Sequence, residues 1–172
     1  MRKLRLLINV IFQAFIYLII SLVIMVIIHE TGHILIALLS GVSFSSIKLT
    51  IYGISPGVIF PESFTGISRT VADYTGGFLS GSIFLIIYIS YWYRVFRFQS
   101  SFQNWLGGLI TAALAGWQLS NGYLEGQYHV AYVLGANSLF APTALFIYCF
   151  VAASLLLHLV LFPRRLIKPI TI

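Results

Sequence analysis

The sequence predicts an all-α membrane protein of about four transmembrane helices, with a membrane-associated β-hairpin after the first. Three observations carry that expectation. Of 172 residues, 59% are hydrophobic and 8% charged, against about a quarter charged in an ordinary soluble domain. Four apolar segments stand out, and the chain length suits a few spanning helices at about 20 residues each. One stretch with strand-like alternation and turn residues follows the first of them. The whole chain, 1–172, reads as a single integral-membrane domain.

The first segment runs from about Leu6 to Leu39, interrupted only by Gln13 and by His29, Glu30 and His33. At 1.5 Å per residue it would make roughly 50 Å of helix, more than a ~30 Å hydrocarbon core accommodates without tilt, break or an interfacial start. Gly41 is a natural C-terminal stop. The opening Met1-Arg2-Lys3-Leu4-Arg5 before an apolar run has the texture of a signal peptide. The run is too long and lacks a small-residue cleavage site, so a retained span is expected.

From Val42 to Ser68 the texture changes. Ser45 to Tyr52 contains a period-2 alternation, punctuated afterwards by Gly53, Pro56, Gly57 and Pro61. That pattern predicts short strands and turns. Non-helical backbone at membrane depth needs protein or water to satisfy its hydrogen bonds. A second span is expected from about Thr70 to Tyr93, where Gly77 and Gly81 form a small-xxx-small pair suited to close helix contact. A third, short and rich in Gly and Ala, covers about Asn104 to Leu119. The polar stretch Ser120 to His129 reads as a loop leading into a short helix that ends near Leu134. The fourth span covers about Pro142 to Phe162. Trp92, Trp105 and Trp117 fall near predicted span ends, as an aromatic belt would place them.

The net charge of +6 does not point to nucleic acid, because eight of the ten cationic residues flank apolar runs. They are Arg2, Lys3, Arg5, Arg94, Arg97, Arg164, Arg165 and Lys168. With four spans these clusters fall on one side, which the positive-inside rule makes cytoplasmic, together with both termini. The expected partners are the lipid bilayer and a membrane-protein substrate, with no nucleic acid. Cys149 is the only cysteine, which rules out an intrachain disulfide and a thiolate metal cluster.

The chemistry concentrates in His29-Glu30-Thr31-Gly32-His33. Residues i and i+4 share a helix face, so both imidazoles can address one metal ion. Glu30 lies about 100° further round, beside the metal rather than among its ligands, where it can act as general base on a zinc-activated water. Ionisable groups inside an apolar helix cost roughly 2.5 kcal/mol or more for a central charge. Three of them at metal-ligand spacing are hard to justify without a metal, and zinc with two His and a carboxylate suits the set.

For a third ligand the chain offers three other acids, Glu62, Asp73 and Glu125. Glu62 reads as a solvated loop charge beside Pro61. Asp73, four residues after Arg69, reads as a helix-start carboxylate paired with that arginine. Glu125 stands in a segment with no other reason to hold a charge, and it is the preferred ligand. His129, four residues on, is an alternative ligand or a partner of one. His158 reads as a packed or snorkelling histidine.

The string Ile27-Ile28-His29-Glu30-Thr31-Gly32-His33, continuing to Ala37 and Ser40-Gly41-Val42, resembles the first motif of the site-2 protease family of intramembrane zinc metalloproteases. Asn121 through Glu125-Gly126 resembles that family's second motif, an Asn followed by Asp-Gly, with Glu in place of Asp and without the usual proline. The hairpin region Phe44 to Val58 and the small-residue segment Thr75 to Gly81 are similar more loosely, and the family's proline and asparagine are missing from the latter. The resemblance implies zinc held by His29, His33 and Glu125, with Glu30 as general base and Asn121 contacting substrate backbone or orienting a ligand. The implied activity is hydrolysis of peptide bonds in or near transmembrane segments. Two rival readings are a membrane protein that binds zinc for structure or transport, and a scaffold of the same fold.

Overall fold

The computed structural model describes residues 2–52, 55–97 and 102–128. The expected fourth span, Cys149, His129, His158 and the cluster Arg164, Arg165 and Lys168 lie outside the described residues, as does the run up to Leu134.

The described chain is mostly helical. Helix α1 covers Arg2–Leu39, β1 Lys48–Tyr52, β2 Ser55–Ile59, α2 Gly66–Arg97 and α3 Phe102–Tyr128. By length and composition α1 and α2 can cross a membrane. Helix α1 is unbroken over 38 residues, so its excess length over a bilayer core is not relieved by a break. It stops where expected. Gly41 takes a positive φ of 87°, the Gly41 N–H donates to the Leu38 carbonyl and the Val42 N–H to the Ala37 carbonyl, both at 3.0 Å. This paired closure is the Schellman form of a glycine-terminated helix.

The strands pair antiparallel in the register Lys48↔Ile59 to Tyr52↔Ser55. The strand-like stretch read from Ser45 starts later than expected, because Phe44–Ser46 forms a single 3-10 turn. The Ser46 Oγ–H donates to the Ser43 carbonyl at 2.7 Å, a local bond that competes with extension.

One expectation is corrected. Ser120 to Tyr128 is not a loop followed by a new helix but the last part of α3, which runs without interruption through Asn121, Gly122, Glu125 and Gly126. The Ser-Asn-Gly sequence has poor intrinsic helix propensity, and packing overrides it. A Cβ on Gly122 would lie 2.6 Å from the Phe78 backbone nitrogen, and one on Gly77 would collide with Gly122 itself. These glycines let α2 and α3 approach until their backbones touch. Gly81 continues the contact, with a virtual Cβ 2.7 Å from Leu119 Cγ.

Burial inverts the pattern of a water-soluble bundle. On α1 the buried stripe is Ser21, Met25, His29, His33 and Ala37, every fourth residue, as one face of a helix requires. Its other faces expose large apolar side chains, among them Phe12 at 59% and Ile27 at 60%. Polar Thr111, Gln118, Ser120 and Ser80 are buried as well. Exposed apolar side chains on a helix of this length are compatible with a lipid surround. Two apolar clusters bracket the middle of the stripe: Met25 with Phe84, Leu114 and Ala115 on one side, and Ala37 with Phe60, Phe64 and Ala72 under the hairpin on the other. His29 and His33 sit between them.

Candidate metal centre

His29 and His33, one turn apart on α1, bring their Nε2 atoms to 3.0 Å. From α3, Glu125 Oε2 reaches to 3.3 Å from His29 Nε2 and 3.6 Å from His33 Nε2. These three residues form a group that can hold a metal ion. Tetrahedral coordination with metal–nitrogen and metal–oxygen bonds of about 2.0–2.1 Å sets ligand atoms roughly 3.3 Å apart. The observed triangle has edges of that length.

Hydrogen bonding fixes the chemistry of each corner. The His33 Nδ1–H donates to the Ala72 backbone carbonyl at 2.6 Å, so in the neutral ring Nε2 carries a lone pair. The His29 Nδ1–H donates to Gln118 Oε1 at 2.7 Å, with the same result. Glu125 Oε2 is buried and accepts no hydrogen bond. With both rings neutral, three electron-pair donors converge here, an arrangement that is unfavourable unless a cation or a proton lies between them. A cation at the centre of the triangle resolves the conflict. Two imidazoles and one carboxylate are a donor set that divalent transition-metal ions take.

The surroundings hold the rings in place. A Cβ on Gly76 would run into the His33 imidazole, and one on Gly32 would lie 2.9 Å from Gly76 Cα. Only glycine at 32 and 76 lets α2 come close enough for the Ala72 carbonyl to meet His33. His29 and His33 are 8% and 9% exposed, whereas the Glu125 side chain is 39% exposed. Oε2 is turned inward, and the exposed part of the side chain lies away from the rings.

The other acids among the described residues are not part of the converging ligand group. Asp73 takes both oxygens to Arg69 Nε, at 3.1 and 3.2 Å, as its spacing predicts, and the Arg69 guanidinium also covers the Phe60 ring at 4.7 Å. Glu62 is exposed in the turn before α2. Glu30 is half-buried on the helix that carries both histidines. Asn121 lies on α3 four residues before Glu125, and so on the same face.

Sequence reasoning missed Gln118 and the Ala72 carbonyl. Gln118 had a signal: an amide in an apolar run, seven residues before Glu125, is two turns back on the same face of a helix. The carbonyl had none, since a backbone oxygen becomes a partner only through the packing of α2 on α1. Compared with family models, with curated proteins and with solved structures, the chain gives no match.

Proposed function

We propose that the protein is an intramembrane zinc metalloprotease of the site-2 protease type. It hydrolyses peptide bonds in or near transmembrane segments of other membrane proteins. The observation that carries this reading is the convergence of Glu125 with His29 and His33, the two histidines lying on a helix long and apolar enough to cross a bilayer, with Glu30 next in the chain to one of them.

His29, His33 and Glu125 hold the zinc. Zinc bound there supplies Lewis acidity, drawing electron density from a peptide carbonyl and easing the deprotonation of water. The Glu30 carboxylate, about 100° round the helix from His29, takes the proton from the attacking water as general base. It then returns that proton to the departing amide nitrogen as general acid. Asn121, on the Glu125 face of α3, contacts the substrate backbone. A substrate helix must unwind before its peptide bonds are accessible. The outer edge of β1, unpaired among the described residues, offers the unwound segment a strand to pair with. Four spanning helices, with both termini cytoplasmic, complete the arrangement.

The test is metal content and cleavage measured together in lipid vesicles. Wild-type protein purified without chelators should contain about one zinc per chain, and His33→Ala should remove it. Glu30→Gln should keep the zinc and lose at least about 10²–10⁴-fold in cleavage of a transmembrane peptide. A zinc-free wild type whose activity survives His33→Ala overturns the reading.

A further inference from the structure

We infer that Gln118, held by Ser80, is the positioning residue that fixes the tautomer of His29 and so turns its Nε2 lone pair towards the metal. This rests on the metal-centre reading above, but the tautomer itself is a property of the metal-free chain.

Helix α3 grips the His29 ring at both nitrogens. Glu125 Oε2 faces Nε2 at 3.3 Å, and two turns earlier Gln118 Oε1 accepts from Nδ1–H at 2.7 Å. Gln118 is 3% exposed and Ser80 is fully buried, so water does not compete for either. The Ser80 hydroxyl has one proton and three acceptors in reach: Gln118 Oε1 at 2.8 Å, the Gly76 carbonyl at 2.9 Å and the Gly77 carbonyl at 3.2 Å. Given to Gln118, the shortest of the three, it holds the amide with its oxygen towards the imidazole. The chain Ser80–Gln118–His29 then runs donor to acceptor in one sense, and the ring proton must sit on Nδ1. Partners of this kind set both orientation and basicity of a metal-bound imidazole.

A neutral amide in this role has a physical reason. A carboxylate is a common orienter of metal-binding histidines. Here it would add a third negative charge beside Glu30 and Glu125, and this one would be fully enclosed. With an amide, a divalent cation and the two carboxylates sum to zero, the least costly state in a low-dielectric surrounding.

The experiment is nitrogen-15 NMR of the imidazoles in metal-free, micelle-embedded protein, at a pH where both rings are neutral. Cobalt(II) binding to the same samples is followed by visible absorption in competition with a chelator. In wild type, His29 should show protonated Nδ1 and bare Nε2. Gln118→Met keeps the shape without the acceptor and should give mixed tautomers with a 10- to 100-fold loss of cobalt affinity. Gln118→Glu restores an acceptor and should restore the wild-type tautomer. Protonated Nε2 on His29 of the wild type overturns the inference without any variant having to fold, as does an unchanged tautomer in Gln118→Met. A Gln118-dependent tautomer in a protein that binds no cobalt would sink the metal reading and leave the positioning role intact.

Discussion

Gly76→Ala should weaken the metal centre while leaving the fold in place. The added Cβ would lie 2.5 Å from His33 Cε1 and 2.7 Å from Cδ2. Carbon atoms settle about 3.5–4.0 Å apart, so the ring has to retreat by about 1 Å. Metal–ligand distances hold to about 0.2 Å, which makes the displacement several times what a site tolerates. The bond from His33 Nδ1 to the Ala72 carbonyl at 2.6 Å resists a simple swing, because that carbonyl lies one turn before Gly76 on the same helix. The metal affinity should fall at least as far as when a ligand's hydrogen-bond partner is lost, about 10- to 100-fold. Overpacking costs about 1–3 kcal/mol, and the better helix propensity of alanine offsets up to about 1 kcal/mol of it. Zinc competition against a chromophoric chelator, beside thermal unfolding in the same micelles, separates the two effects. Gly108→Ala is the control, since its Cβ meets Tyr91 Cβ at an ordinary 3.8 Å, and it should bind zinc as wild type does. Wild-type zinc affinity in Gly76→Ala would show that His33 does not stand where the argument needs it.

Three further outcomes are expected. Glu125→Ala should lower zinc occupancy together with turnover, whereas Asp73→Asn should leave occupancy unchanged and alter stability by about 1 kcal/mol or less; zinc analysis showing the reverse would move the third ligand to Asp73. Thr111→Val removes the partner of the Tyr17 hydroxyl, 2.8 Å away, and should weaken docking of α1 on α3 by about 0.6–1.7 kcal/mol, measured by unfolding in micelles with zinc binding retained. In a Cys149→Ser background, Ser55→Cys should label from outside intact cells and Ser100→Cys should not, and the opposite pattern would invert the orientation drawn from the positive-inside rule.

How much of this was legible beforehand differs from residue to residue. The two histidines were readable because their spacing is a property of a single helix. The Arg69–Asp73 pair was readable for the same reason. Glu125 was singled out by its isolation in charge, but its setting was misjudged: Asn121, Gly122 and Gly126 look like loop residues to local propensity. Their use is tertiary, since Gly122 admits the backbone of Gly77 and Gly126 admits the Tyr74 ring. The expectation that Gly77 and Gly81 mediate close contact held, but it did not say which helix would come. The orienting partners of the histidines depended on that missing piece, because Gln118 and the Ala72 carbonyl belong to two different helices that meet α1 only after docking.

That arrangement bears on how the chain assembles. Helices α1 and α3 touch each other far less than either touches α2, yet the donor triangle takes two corners from α1 and one from α3. Helix α2 is therefore the gauge that sets the gap, and the triangle closes to its 3.0–3.6 Å edges only when all three helices are seated. A cation arriving earlier would find two imidazoles and no carboxylate. One arriving later would rivet together the pair with the least direct adhesion, and stripping it would cut the tie between α1 and α3 while leaving each still packed on α2.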